Sequence, residues 1–187
     1  GAWVAKERGR YKQDEISLER VRRLEAIEGW VWSAQRNHAD NLFRRGFGAL
    51  TQFVEREGHT WVRSGHKETV DNEVINLNEW INRRRDTYRK GKLYPEHVEQ
   101  LETVPTWAWD VDDMKFNFRT VVLRQFIERE KTSKIRNDHI ELYREERVRL
   151  GAWVSEVRTE HRKGRLPDHH VHQLEMIHLW KWSNKHL

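Results

Sequence analysis

Apolar residues recur at helical spacing along the chain, in three sets separated by short polar links. Phe43, Phe47, Leu50 and Val54 fall at intervals of three and four, which predicts an amphipathic helix. Phe116, Leu123, Phe126 and Ile127 mark a second helix of this kind, and Gly58 suits a helix end. A second type of helix carries Val74, Leu77, Trp80, Ile81 and Tyr88 and stops at Gly91; its counterpart carries Leu150, Trp153, Val154 and Val157 and stops at Gly164. A short third helix is predicted to start near Ser17, Pro95 or Pro167, residues suited to an N-cap or first turn. It buries Val21 and Leu24, Val98 and Leu101, or Val171 and Leu174.

These sets are copies of one another. "WINRRRDTYRKGKLYPEHVEQLETVPTWAW" from Trp80 aligns without a gap on "WVSEVRTEHRKGRLPDHHVHQLEMIHLWKW" from Trp153, and on "WVAKERGRYKQDEISLERVRRLEAIEGWVW" from Trp3. Nine of the ten tryptophans then form triplets: Trp3, Trp30 and Trp32; Trp80, Trp107 and Trp109; Trp153, Trp180 and Trp182. Trp61 stands outside them. The alignment extends backwards for the last two copies, placing "LTQFVEREGHTWVRSGH" on "LRQFIEREKTSKIRNDH". The expected organisation is an all-α tandem array of a three-helix, helix-turn-helix-like module. Residues 1–36 form a partial copy lacking its leading helix, 39–110 a second repeat and 113–187 a third. A chain that starts without methionine also reads as a fragment.

Composition changes this picture little. Charged residues make up 35% of the chain and hydrophobic ones 36%, yet the large aromatics give each small unit enough surface to bury a core. The net charge of +5 suits a polyanionic partner, moderated by 30 acidic residues. With no cysteine, disulfides and thiolate metal sites are excluded. No stretch is long and apolar enough to span a membrane, so the expected location is intracellular and cytoplasmic, or at the nucleoid in a bacterium. No GxxxxGK[ST] phosphate loop occurs, and no nucleophile–base set recurs with the repeats, so no enzyme is expected.

The repeated pattern resembles the helicase-associated domain family, three-helix modules found in tandem beside bacterial helicase motors. The matching residues are the Leu–Phe first helix, Gly-His and Val in "EGHTWV", "LGAW" at 150–153, Arg and Tyr before "RKGKL" at 89–93, "ERVRRLEAI" at 19–27, and the aromatic-x-Trp ending. "LNEW" at 77–80, "EKTSKI" at 130–135 and "QDEI" at 13–16 depart from it. The resemblance implies nucleic-acid binding and a helicase motor, in the same or another chain, as a partner.

Candidate contacts lie first at the basic ends of the second helices: Arg10 and Lys12; Arg89, Lys90 and Lys92; Arg162, Lys163 and Arg165. Cations at a tight turn grip phosphates while the next helix approaches the bases, although the same cations also complement a helix C-terminus. On the third helices, Arg22 and Arg23, then His169, His172 and Gln173, suit groove contact, whereas Glu96, Glu99 and Gln100 do not. The loop after the first helix offers Arg63, His66 and Lys67, then Lys134, Arg136 and His139.

Three further expectations concern structure. Arg8, Arg85 and Arg158 precede Glu25, Glu102 and Glu175 by 17 positions each time, which predicts a salt bridge between second and third helices. The paired tryptophans are predicted to close the cores. No metal site is expected: neighbouring histidines such as His169, His170 and His172 point around a helix axis in different directions, and Asp110, Asp112 and Asp113 read as a helix start. The favoured partner is duplex DNA, because short helices at a basic turn fit a major groove; a protein-interaction scaffold is the alternative.

Overall fold

In the computed structural model, residues 1–13 and 15–183 are described, except the side chains of Lys12, Leu18, Ala34 and Gln35. They form eight helices and two hairpins. α1 (Ala2–Lys12) and α2 (Leu18–Glu25) make up the first unit. The second contains α3 (Ala34–Glu57), the hairpin β1 (Lys67–Val70) and β2 (Glu73–Asn76), α4 (Leu77–Arg89) and α5 (Pro95–Glu102). The third repeats that order in α6 (Val111–Glu130), β3 (Glu141–Tyr143), β4 (Glu146–Val148), α7 (Leu150–Arg162) and α8 (Asp168–Glu175).

The hairpins correct the all-α expectation. β1 pairs antiparallel with β2, Glu68 opposite Ile75, and β3 with β4, Leu142 opposite Arg147. Asp71 and Asn72 both take positive φ, 50° and 61°, the left-handed pair that a two-residue hairpin turn needs. Val74, expected on the second helix, is in β2 and 65% exposed. Its apolar side chain falls in step with Leu77 and Trp80, but helix geometry begins only after Asn76, whose side chain caps Glu79 N.

Other boundaries have legible causes. Ser17 caps α2, Ser33 caps α3, and Asp110 caps α6 by accepting from Asp112 N at 2.7 Å. Gly58 ends α3 in the left-handed conformation, φ 78°, and Lys131 holds the matching position after α6 with φ 54°.

Each full unit has its own core. Phe43, Leu50, Leu77, Ile81 and Leu101 fill the second, and Phe116, Leu123, Leu150, Val154 and Leu174 the third. The leading helix decides the fate of the first tryptophan of each triplet: Trp153, covered by α6, is 5% exposed, whereas Trp3 is 51% exposed. The departure of "LNEW" from "LGAW" also has a local reason. The main-chain oxygen of Arg136 packs where a Cβ on Gly151 would stand; at the matching place Asn78 Nδ2 donates to the oxygen of Val62 at 2.8 Å. The loop is tied to the helix in both units, by close approach in one and a side-chain amide in the other.

The second and third units are packed together. Trp61 stacks on Phe118 with centroids 4.8 Å apart and planes at 16°, and His59 meets Phe118 edge-on at 4.6 Å. Tyr143 Oη donates to the oxygen of Glu57 at 2.7 Å, Arg144 pairs with Glu57 at 3.1 Å, and Arg63 pairs with Glu146. Trp61, the tryptophan outside the triplets, is thus half-buried at the seam between repeats.

Candidate nucleic-acid interface

The loop residues expected to face phosphate are turned toward the protein. Behind each hairpin sits a buried carboxylate, Glu68 or Glu141. Glu68 accepts from Gln52 Nε2 at 2.8 Å and Arg56 Nη1 at 3.1 Å, with His66 Nε2 at 2.6 Å. Glu141 accepts from Gln125 at 2.8 Å and Arg129 Nη2 at 2.9 Å, with His139 Nε2 at 2.8 Å. The arginine, ahead of the other donors, holds each carboxyl down at about 2. His66 and His139 therefore help satisfy a buried anion. This pair of networks was missed, although "QFVERE…HKE" over "QFIERE…HIE" in the ungapped alignment carried its signal. Arg63 is occupied by Glu146 and exposed Arg136 by Asp138 at 2.8 Å, while Lys67 and Lys134 stand exposed.

The expected Arg–Glu salt bridges are replaced by a different device, present three times. Arg8 Nε donates to the oxygen of Val31 at 2.7 Å, Arg85 Nε to Ala108 at 3.0 Å, and Arg158 Nε to Lys181 at 3.1 Å. Each acceptor is the residue between the paired tryptophans. The guanidinium also lies over the first ring of the pair, 5.8 Å from Trp30, 5.1 Å from Trp107 and 4.8 Å from Trp180. Glu25, Glu102 and Glu175 instead accept from the second ring, Trp32, Trp109 and Trp182, at 2.9, 2.9 and 3.1 Å. That ring stacks on Tyr11, Tyr88 or His161 at 4.0, 3.8 and 3.7 Å. Burial pushes the Arg85 guanidinium down to about 10.

The basic turns directly follow these stacked rings. Arg89, Lys90 and Lys92 are exposed at the end of α4, and Arg162, Lys163 and Arg165 at the end of α7. Lys90 meets Asp86 at 2.6 Å, and Arg89 approaches the same carboxylate at 3.9 Å. Arg165 meets Glu160 at 2.8 Å, Lys163 lies 3.6 Å from it, and Arg162 donates to Thr159 Oγ1 at 3.2 Å. Hydrogen bonds from these cations lower the carboxyls of Asp86 and Glu160 below their ordinary range. Arg10, Arg22, Arg23 and Lys92 are exposed without an ion pair among the described residues. The Lys12 side chain lies outside the described residues.

On α8, His172 is exposed, whereas Gln173 donates to Asn117 Oδ1 at 2.9 Å and to Thr120 Oγ1 at 3.2 Å. His169 reaches Asp113 at 3.0 Å. His170, beside it, is buried and stacks on Phe116 at 3.6 Å, as His97 stacks on Phe43 at 3.7 Å. Burial lowers the pKa of both inner histidines, His97 and His170.

Fold and site thus define a tandem array of small, mostly helical modules, each with a basic turn beside an aromatic clamp. Residues 40–110 and 113–183 each match the helicase associated domain, and the chain belongs to that family. No curated protein and no solved structure matches it, so the family assignment rests on the two domain matches. No helix among the described residues is long and apolar enough to cross a membrane.

Proposed function

We propose that the chain is a nucleic-acid-binding accessory region for a helicase motor, and that its preferred ligand is duplex DNA. The observation that carries this reading is the recurrence of exposed cations at one turn of the module, Arg89, Lys90 and Lys92 and then Arg162, Lys163 and Arg165. In each unit that turn leads into the next helix, a geometry suited to phosphates at the rim of a groove. Arg22 and Arg23 on α2, and His172 on α8, are the exposed groove-facing candidates with no partner among the described residues. His66, His139 and Gln173 have internal partners and contribute positioning. The stacked aromatic pairs are spent on one another, which disfavours a single-strand platform.

A second reading, docking onto a protein, is favoured by the exposed apolar side chains of Val74 and Leu142 on the hairpins and of Ile140 just before β3. Fluorescence-anisotropy titration of labelled duplex and single-stranded DNA at several salt concentrations separates the two. Duplex binding that weakens steeply with salt, and weakens further when Arg162, Lys163 and Arg165 are neutralised, supports the first reading. Absence of binding to either form at low salt overturns it.

A further inference from the structure

We propose that Asp113, His169 and His170 form a binding site for one divalent transition-metal ion of the zinc, copper or nickel type, in the third unit only. The first turns of α6 and α8 cross there. His169 Nε2 lies 3.0 Å and His170 Nε2 2.9 Å from the same atom, Oδ1 of Asp113, and the three donor atoms all fall within 4.8 Å of one another. The two imidazole centroids are 4.1 Å apart. Neighbouring side chains on a helix do leave the axis in different directions. A carboxylate from a crossing helix, placed between them, makes them converge.

The chemistry of the donors fits a cation. A zinc ion holds imidazole nitrogen and carboxylate oxygen at about 2.0 to 2.2 Å, so donors around one ion stand roughly 3 to 3.5 Å apart. Two edges of the triangle already have about that length, and the third closes by rotation of the exposed His169. Two imidazoles and a carboxylate suit zinc, copper and nickel better than magnesium or calcium, and three protein ligands leave a position for water.

His170 supplies the independent observation. It is 8% exposed, and its ring is fixed by the stack on Phe116. Its Nε2 is buried and faces Asp113 Oδ1 at 2.9 Å, out of line for a good hydrogen bond. A zinc ion would take the place of the proton that otherwise lies between this nitrogen and the carboxylate, since zinc binds the neutral imidazole.

The second unit limits the site to one. Asp40 and His97 repeat the pair at 3.1 Å, and His97 stacks on Phe43. Glu96, however, replaces His169 and is held by Arg36. The first unit has Arg20 in place of the buried histidine, paired with Glu7 at 2.9 Å.

Zinc titrated calorimetrically into chelator-treated protein tests the site, with thermal melting alongside. The expected result is one ion per chain and a melting temperature that rises with zinc. His169→Ala, at a side chain 62% exposed and safe for folding, is expected to weaken binding at least tenfold. Asp113→Asn does the same, and His172→Ala on the same helix leaves binding unchanged. With Cu2+ as a second probe, electron paramagnetic resonance should show two imidazole nitrogens in the wild type and one in His169→Ala. Binding only in the millimolar range, or binding equally strong in His169→Ala, overturns the proposal.

Discussion

Arg85 Nε donates to the main-chain oxygen of Ala108 at 3.0 Å, across 23 residues, while its guanidinium covers the ring of Trp107. One side chain thus pins the end of each unit to its second helix, and it does so through backbone geometry. A carbonyl between two tryptophans is invisible as a chemical signal in a sequence. A glutamate 17 positions on is visible, and it invites the wrong pairing. The glutamate serves the other ring of the same clamp, so arginine, tryptophans and glutamate form one unit after all.

The clamp makes two opposed predictions. Arg85→Lys keeps the charge but loses the fork and the cover over Trp107, and is expected to destabilise the protein by about 1 to 3 kcal/mol. Glu102→Gln keeps an amide oxygen for Trp109 Nε1 and is expected to cost under about 1 kcal/mol, the scale of one neutral hydrogen bond. Urea unfolding of both variants checks this. A loss for Glu102→Gln equal to that of Arg85→Lys would restore the salt bridge.

The buried carboxylates predict sensitivity to acid. Glu68 and Glu141 titrate at about 2 in the folded chain, against an ordinary 4.5. A depressed carboxyl contributes stability that is complete above the unfolded value and is lost as pH falls from about 4.5 toward 2. Glu141→Gln is expected to cost about 1 to 3 kcal/mol at pH 7, because Arg129 loses its anion, and to flatten the acid limb. Urea midpoints at several pH values between 7 and 2.5 read both effects.

At the seam between the second and third units, pH acts through a base. Burial pushes His59 down to about 4 from 6.5, so the folded chain holds it neutral while the unfolded chain protonates. Stability therefore falls as pH drops through the window from 6.5 to 4 and falls no further from this group below it. His59→Leu is expected to reduce that slope, leaving the part due to the other buried histidines, His97 and His170. The fluorescence of Trp61, stacked nearby on Phe118, gives a local readout during unfolding.

Most helices were legible because apolar residues recur in them at helical spacing, and because Ser17, Pro95, Pro167 and Gly58 mark ends by known stereochemistry. The hairpins were not, since strands of three or four residues are too short to show alternation and Val74 fits either period. Among the candidate contacts, exposure at the basic turns followed from their place after a helix end. The inward turn of His66 and His139 did not, because it depends on the hairpin folding back so that Glu68 and Glu141 meet the arginine and glutamine of the preceding helix. The convergence of His169 and His170 likewise depends on where α6 crosses α8.

The acids beside the basic turns offer a sharper test of DNA binding than removing the cations. Glu160 holds Arg165 and Lys163, and Asp86 holds Lys90, so phosphate contact must compete with an internal anion. Glu160→Gln removes a negative charge from the rim and frees two cations, and is expected to tighten duplex binding severalfold at low salt. If those two cations then reach phosphates, the slope of log affinity against log salt should steepen by about 1 to 2. Asp86→Asn should do less, because α5 keeps Glu96 and Glu99 next to that turn. Melting curves separate binding from folding, since an exposed ion pair contributes only about 0 to 1 kcal/mol. Unchanged affinity and slope in both variants, with normal melting, would place the basic turns outside the interface and favour docking through the hairpin faces.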